Sequence, residues 1–307
     1  MVQPTMFLLL AGLTVGLAVP AAAQTEVKLI GFGGGTNVPS WVAIDKGFFL
    51  KEGLKVTQEV TPGSKEQMRD IMANKYQFAS TAFDNIVAYT EGEGTDKFPD
   101  YDVVAIMGVH SGMNSIVVRP EIKTYADLKG KVAAVDSPTS GYATVLYQII
   151  KEKAGLEKEK DYTFVSVGGT GGRVKALKDE GFTILGDAAE EIGAFQGRAY
   201  AVRKSYAKDH PKEVDAFVRA IVAATDYVFS DKAGTVEVLK KRIRNLSDED
   251  ASKLYDRLIG PGGLNKRAAL NTKGVETVLK LRTLYGGAAP TKADKYIDLS
   301  YYGKVVK

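Results

Sequence analysis

Polar and apolar residues alternate in two segments near the start of the chain, and helical spacing of apolar residues separates them. Glu26–Ile30 and Leu54–Val60 alternate as strands do, with a Gly-rich loop after the first. Between them, the segment that begins at Pro39 and Trp41 has the apolar spacing of a helix that ends before Gly47. Strands that alternate with helices predict a mostly parallel sheet with helices on both faces.

The same alternation predicts further elements along the chain. A helix is expected from Ser64, as its cap, to Asn74, a strand at Phe78–Ala82, and a helix at Ile86–Glu91. Later strands are expected at 103–108, 115–118, 131–135 (buried) and 162–167, with helices ending near Ala154 and at 174–178. From His210 onward the pattern is helical, with segments near 212–230, 235–243, 248–259 and 273–284.

An uncharged apolar stretch, Phe7–Ala23, ends in Ala21-Ala22-Ala23. An apolar run of this length that ends in small residues is typical of a cleavable signal peptide, and it is shorter than the ~20 residues of a membrane span. The chain has no cysteine, so a lipid anchor at the cleavage site and disulfides are not expected. We therefore expect an exported protein that is free in the periplasm.

Length, charge and histidine content narrow the classes of function. A chain of 307 residues exceeds the usual single core and predicts two lobes. The net charge of +4 is small and evenly spread, which argues against nucleic acid and suits anionic solutes. His110 and His210, the only histidines, have no partners at metal-ligand spacing, so no metal is expected. Neither a nucleotide-binding motif nor a catalytic triad or carboxylate pair is evident.

Four loops follow predicted strands and are candidates to bind a ligand, because the carboxyl ends of strands and the starts of helices meet there. They are Gly34–Asn37, Thr81–Asn85, Asp136–Gly141 and Gly168–Arg173. Ser137 and Pro138 fit the cap and first position of a helix, with exposed amides beside them. Gly168–Arg173 could hold a carboxylate or sulfonate through Arg173. The candidate ligand-binding residues are Thr36, Asn37, Trp41, Phe83, Asp84, Asn85, Ser137, Thr139, Ser140, Gly141, Tyr142, Thr170 and Arg173.

Each candidate also has a structural interpretation that the residues alone leave open. Ser137 and the Asp84-Asn85 pair equally fit the role of helix caps without a ligand. Trp41 and Phe83 can pack in the core as readily as against a ligand. The Gly168–Arg173 run can be a tight turn followed by a surface arginine.

The order of these elements resembles the nitrate/sulfonate/taurine-type substrate-binding proteins of ABC importers. The resemblance rests on GTNVPSWVAIDKGFFLKEGLKV, TAFDN, IKTYADLKGKVAAVD and VGGTGGRVKAL, and it covers nearly the whole chain after the leader. It implies an α/β type II periplasmic binding fold, with two lobes that close on a solute. The implied organisation is a signal peptide at 1–23, a first lobe at 24–115 plus 204–307, and a second lobe at 116–203.

One departure from the family pattern falls at 178–181. A strand-helix unit that relatives carry there is missing, so we expect a shortened second lobe with an exposed sheet edge. Either that lobe has rearranged and still binds, or the chain is impaired. Thermal melting with and without candidate solutes separates the two hypotheses.

The resemblance implies a monomeric solute-binding component without a cofactor, which delivers a small, anionic organic solute such as a sulfonate or carboxylate to a permease in the inner membrane. An enzyme on the same fold, similar to thiamine-pyrimidine synthases, is the main alternative. Those enzymes use a cysteine-rich motif and work inside cells, which disfavours them for a cysteine-free chain with an export leader. A periplasmic solute sensor is a third hypothesis, and the solute itself stays open.

Overall fold

The computed structural model describes residues 24–94, 96–167, 181–287 and 292–306. Its strands are β1 (Thr25–Gly31), β2 (Leu54–Val60), β3 (Phe78–Ala82), β4 (Val103–Gly108), β5 (Ser115–Val118), β6 (Val132–Val135), β7 (Thr163–Ser166), β8 (Thr183–Asp187) and β9 (Arg198–Arg203). Its α-helices are α1 (Val38–Asp45), α2 (Phe48–Lys51), α3 (Ser64–Met72), α4 (Phe83–Thr90), α5 (Gly141–Ala154), α6 (Ala188–Ile192), α7 (Lys204–Asp209), α8 (Pro211–Ser230), α9 (Lys232–Arg242), α10 (Asp248–Ile259), α11 (Thr272–Tyr285) and α12 (Ser300–Val305).

Five strands form one sheet in the order β2-β1-β3-β9-β4. β1 pairs in parallel with β2 and β3, whereas β9 is antiparallel to both β3 and β4, so the sheet is mixed rather than mostly parallel. The pairing places the ends of β1 to β4 and the start of β9 at one edge, which we call the carboxyl edge. Ligands of α/β proteins bind at this kind of edge.

Helices cover both faces of this sheet. On one face, Phe217 of α8 stacks on Phe78 of β3 with ring centroids 3.9 Å apart, in a cluster that also contains Trp41. On the other face, α4, which begins at Phe83, packs with α11 in a second cluster. Burial along its whole length explains why β4 is an uninterrupted apolar run.

β9 lies just before the position, about residue 204, at which the sequence predicts the return to the first lobe. Arg198–Arg203 is already part of the five-stranded sheet, between β3 and β4. Its residues are buried on both faces, so the alternation that identifies a half-buried strand is absent. The division into two lobes otherwise stays a prediction.

The middle of the chain has two separate pairs of strands: β5 with β8, antiparallel, and β6 with β7, parallel. Within the described ranges no strand joins the two pairs. The sequence pattern predicts a buried β6, but Val132 is 64% exposed, because nothing in the described part of the chain covers that end of the strand. The predicted helix at 174–178 and most of the shortened join lie outside the described residues, so the shortening stays a prediction.

Helix α5 is the well-packed element of this middle region. Val145 and Ile149 join the cluster that contains α4 and α11, while Tyr147 packs with Val135 of β6 and Tyr162 beside β7. Helix α5 therefore connects the β6–β7 pair to the five-stranded sheet. None of the helices in the described part of the chain is long and apolar enough to cross a membrane.

Candidate functional site

Two of the four predicted loops lie at the carboxyl edge of the five-stranded sheet. β1 leads through Phe32–Gly34 into a single 3-10 turn, Gly35–Asn37, and then into α1. β3 leads directly into α4, so Asp84 lies in the first turn of that helix and does not cap a later one, as the sequence had suggested. Because β9 pairs with β3 in antiparallel register, Ala82 faces Arg198 at the same edge.

A third predicted loop reaches this edge from the middle region. The amide of Gly141, the first residue of α5, donates to Asp84 Oδ2 at 2.7 Å. A β-carbon at residue 141 would lie 2.5 Å from Cβ of Asp84, so only glycine permits this approach. The start of α5, which the sequence analysis proposed for a bound anion, is thus occupied by a carboxylate of the protein itself.

Asp84 is buried, and a second charged residue, Arg282, lies beside it. Arg282 Nη1 is 3.5 Å from Asp84 Oδ1 and donates to the carbonyl oxygen of Thr139 at 2.8 Å, and Nη2 pairs with Glu93. Burial raises the pKa of Asp84 to about 6, against the opposing effects of Arg282 and of the Gly141 hydrogen bond. The link between α4, α5 and α11 therefore includes a carboxyl group that titrates near neutral pH.

Arg198 is a buried cation that the sequence analysis did not single out. Its side chain is 8% exposed, and Nη1 donates to the carbonyl oxygen of Phe32 at 3.0 Å and to Asn37 Oδ1 at 3.4 Å. Nη2 donates to the carbonyl oxygen of Gly33 at 3.1 Å, and the guanidinium lies 5.5 Å from the ring centroid of Phe32. The sequence did contain one signal for a buried arginine: Arg198 follows Gly197 and directly precedes the apolar run Ala199–Val202.

His110 follows β4 at the same edge and is also buried. Burial and the nearby charge of Arg198 lower the pKa of His110 to about 3, so the ring is neutral at physiological pH. Its Nδ1 accepts from the amide of Gly112 at 3.2 Å. The arginine therefore faces a neutral imidazole and no second cation at this position.

The start of α5 differs from the prediction. Ser140, and not Ser137, is the cap: its hydroxyl accepts from the amide of Ala143 at 3.1 Å and donates to Asp136 Oδ1 at 2.5 Å. Asp136 fixes this hydroxyl, which moves the helix start past Pro138. Ser137 lies in the preceding turn with its hydroxyl 3.5 Å from that of Thr139, whose side chain is exposed.

The other candidates divide between the loop after β1 and the core. Asn37 Nδ2 donates to the carbonyl oxygens of Phe32 and Gly34, so Asn37 shapes the loop beside Arg198, and Thr36 is buried in the same turn. Trp41 and Phe83 are members of the two core clusters. Tyr142 lies in the first turn of α5, and its ring centroid is 6.1 Å from that of Phe195.

Three candidates remain to be placed. Asn85 Nδ2 donates to Thr81 Oγ1 at 3.2 Å, which joins α4 to the end of β3. Thr170 and Arg173 lie outside the described residues, so their proposed contact with an anion stays a prediction. Across the described ranges, no group of three or more His, Asp or Glu side chains could hold a metal ion.

Comparison with known proteins connects this geometry to other chains. Residues 36–180 match the model of the family described as NMT1/THI5 like. A curated relative, 4-amino-5-hydroxymethyl-2-methylpyrimidine phosphate synthase of Uromyces fabae, is 25% identical over 230 residues. The match covers 65% of this chain and 65% of the relative, slightly less than two thirds of its length.

Solved structures match over most of the chain. The ligand-binding component of an ABC-type import system from Staphylococcus aureus has a TM-score of 0.75 at 10% identity and covers 92% of this chain and 99% of that chain. The periplasmic nitrate-binding protein of Synechocystis PCC 6803 has a TM-score of 0.73 at 14% identity, with 92% and 88% covered. The resemblance predicted from the sequence is confirmed at the level of the fold: the chain has the α/β fold of periplasmic binding proteins.

Proposed function

We propose that this chain is the solute-binding component of an ABC-type import system and captures a small, anionic organic solute between two lobes. The observation that carries the proposal is the meeting of the carboxyl edge of the five-stranded sheet with the start of α5, through Asp84 and Gly141. The two elements come from parts of the chain 57 residues apart, as expected of a cleft that closes between lobes.

The surroundings of this contact support capture without covalent chemistry. The polar groups at the edge are loop carbonyls and amides, the buried Asp84 and the buried Arg198. The solved structures with the same fold include an ABC-type ligand-binding component and a nitrate-binding protein. On this proposal the protein delivers its solute to a permease of the inner membrane and acts as a periplasmic monomer.

Thermal melting and calorimetry with a panel of solutes test this function. The panel includes nitrate, methanesulfonate, benzoate and a neutral pyrimidine, each added to purified protein without its leader. Binding of any member raises the melting temperature in proportion to the logarithm of its concentration above the dissociation constant. A folded protein that responds to no member of an extended panel would contradict the proposal.

The curated relative favours one alternative, an enzyme of pyrimidine synthesis. Native mass spectrometry of the purified protein distinguishes the two functions. A co-purified small anion supports solute capture, whereas a bound pyrimidine phosphate supports the enzyme. The cysteine-rich motif that the sequence analysis associated with such enzymes has no counterpart in a chain without cysteine.

A further inference from the structure

Arg198 differs in its partners from Arg282, the other buried arginine of the described structure, and from the half-buried Arg203. Arg282, 2% exposed, pairs with Asp84 and Glu93, and Arg203, at the other end of β9, pairs with Asp102 at 2.7 Å. Arg198 forms no ion pair with any carboxylate of the described residues, and its three acceptors are neutral oxygens. A buried charge without a counter-charge costs several kcal/mol, so its retention at a ligand-binding edge calls for a functional explanation.

The donors of Arg198 are only partly used. A guanidinium has five N–H groups, and the contacts with Phe32, Gly33 and Asn37 use two at Nη1 and one at Nη2. The N–H of Nε and the second N–H of Nη2 donate to no acceptor in the described ranges. Although burial lowers the pKa of Arg198, an arginine keeps its charge at neutral pH.

The three contacts also hold the guanidinium in place before any ligand binds. Phe32 and Gly33 follow β1, and Asn37 is fixed by its own bonds to the carbonyl oxygens of Phe32 and Gly34. Arg198 itself starts β9. A cation held by two strand ends loses little side-chain entropy when it binds a ligand, which favours affinity.

We infer that Arg198 is the residue that binds the oxyanion of the solute, a carboxylate, sulfonate or nitrate group, at the carboxyl edge of the five-stranded sheet. The inference rests on the proposed solute-binding function and adds the residue and the chemical class that it recognises. The free donors bind two oxygens of a planar or tetrahedral oxyanion, as arginine forks do. The start of α5, the other feature of this edge that could attract an anion, already binds the Asp84 carboxylate, which repels anions. Arg198 is therefore the group at this edge that attracts the solute.

The test compares Arg198→Gln with Arg203→Gln, which removes the same charge from the other end of the same strand. The probes are sodium methanesulfonate and sodium acetate, with the neutral isosteres methanesulfonamide and acetamide, at constant ionic strength. Melting temperature and the fluorescence of Trp41, the single tryptophan, report binding. We expect wild type and Arg203→Gln to bind the anions equally and Arg198→Gln to bind them at least about tenfold more weakly.

Equal anion affinity in Arg198→Gln and wild type would overturn the inference. If circular dichroism shows that Arg198→Gln does not fold, Arg198→Lys is measured in its place. Lysine keeps the positive charge but lacks the two-pronged donor geometry of arginine, so we expect anion binding several-fold weaker than in wild type. An unchanged affinity of Arg198→Lys would then overturn the inference. Binding of neutral isosteres alone, equal in all variants, refutes the inference and leaves the proposed function intact. A folded wild type that binds no solute refutes both.

Discussion

The five-stranded sheet and the two strand pairs of the middle region are built from similar sequences but differ sharply in burial. Val202 of β9 is fully buried between β3 and β4, whereas Val132 of β6 is 64% exposed. Four of the seven large apolar side chains that are exposed in the described structure lie on β5 to β8: Val117, Val132, Val165 and Ile184. An apolar strand is buried only where neighbouring strands and helices cover it, and the described residues supply no such cover for these four side chains.

The well-packed region is the part of the molecule that can hold a binding site in a fixed geometry. The candidate site uses the carboxyl edge of the five-stranded sheet and the start of α5, and α5 is held by α4 and α11 through Val145 and Ile149. The position of Gly141 against Asp84 therefore depends on the well-packed region more than on the strand pairs. The predicted shortening of the second lobe is compatible with an ordered site for this reason.

The largest expected difference is in amide hydrogen exchange. Amides of β1, β3 and β9 exchange only through global unfolding, whereas those of β5 to β8 exchange through local opening, since few contacts oppose it. We expect protection factors about a thousandfold lower in the strand pairs. Equal protection, measured by mass spectrometry or NMR, would mean that a cover for these strands forms in solution.

Matched valine truncations test the same contrast energetically. Val202→Ala removes two buried methyl groups and leaves a cavity, so we expect a loss of about 2 kcal/mol in the free energy of unfolding. Val132→Ala, at an exposed position, should change it by less than about 0.5 kcal/mol. Urea unfolding at constant m-value measures both, and similar losses would contradict the difference in burial.

The Asp84 contact predicts a pH-dependent stability. Burial raises the pKa of Asp84 from 3.8 to about 6 in the folded protein. The protonated Asp84 therefore contributes its full stabilisation below about pH 4, and this contribution is lost as the pH rises through the folded-state pKa. Relative to Asp84→Asn, wild type should lose about 1–3 kcal/mol of stability between about pH 4 and pH 7. The measurement is the melting temperature of both proteins at a series of pH values. If the two melting temperatures change with pH by the same amount, the pKa of Asp84 is not raised by folding and the prediction is wrong.

Polar substitution of the exposed strands is expected to have the smallest effect. Val132→Lys and Ile184→Lys should change the free energy of unfolding by less than about 0.5 kcal/mol, because both side chains are already largely in solvent. Both should reduce binding of an apolar dye, since they interrupt exposed apolar surface. Leu50→Lys, at an exposed residue of α2, is the control and should reduce dye binding less.

Local patterns predicted much of the fold. β2, β3, β4 and β5 begin and end where alternation and apolar runs indicated, and Gly47 adopts the left-handed conformation expected after α1, with a φ of 76°. These features depend on residues that are close in sequence, so a local sequence pattern predicts them. The start of α5 was displaced by three residues because a hydrogen bond from Ser140 to Asp136 competes with the Ser137-Pro138 signal.

The sequence predicted which loops form the candidate site better than it predicted which residues of those loops line it. The loops after β1 and β3 and the one before α5 do meet, but Trp41 and Phe83 serve the core, and Arg198 was not foreseen. β9 has no alternation to reveal it, because both of its faces are buried. Its role, and with it the place of Arg198, depends on pairing with β3, which lies more than a hundred residues earlier in the chain.

The kinds of element, their order and the loops available for a ligand follow from periodicity and turn residues within short windows, so the sequence alone predicts them. Three features come from the tertiary structure: which apolar strands are covered, the position of Asp84 at the start of α5, and the burial of Arg198 with no carboxylate partner among the described residues. Burial and charge pairing depend on residues distant in sequence that the fold brings together, so no local pattern could show them.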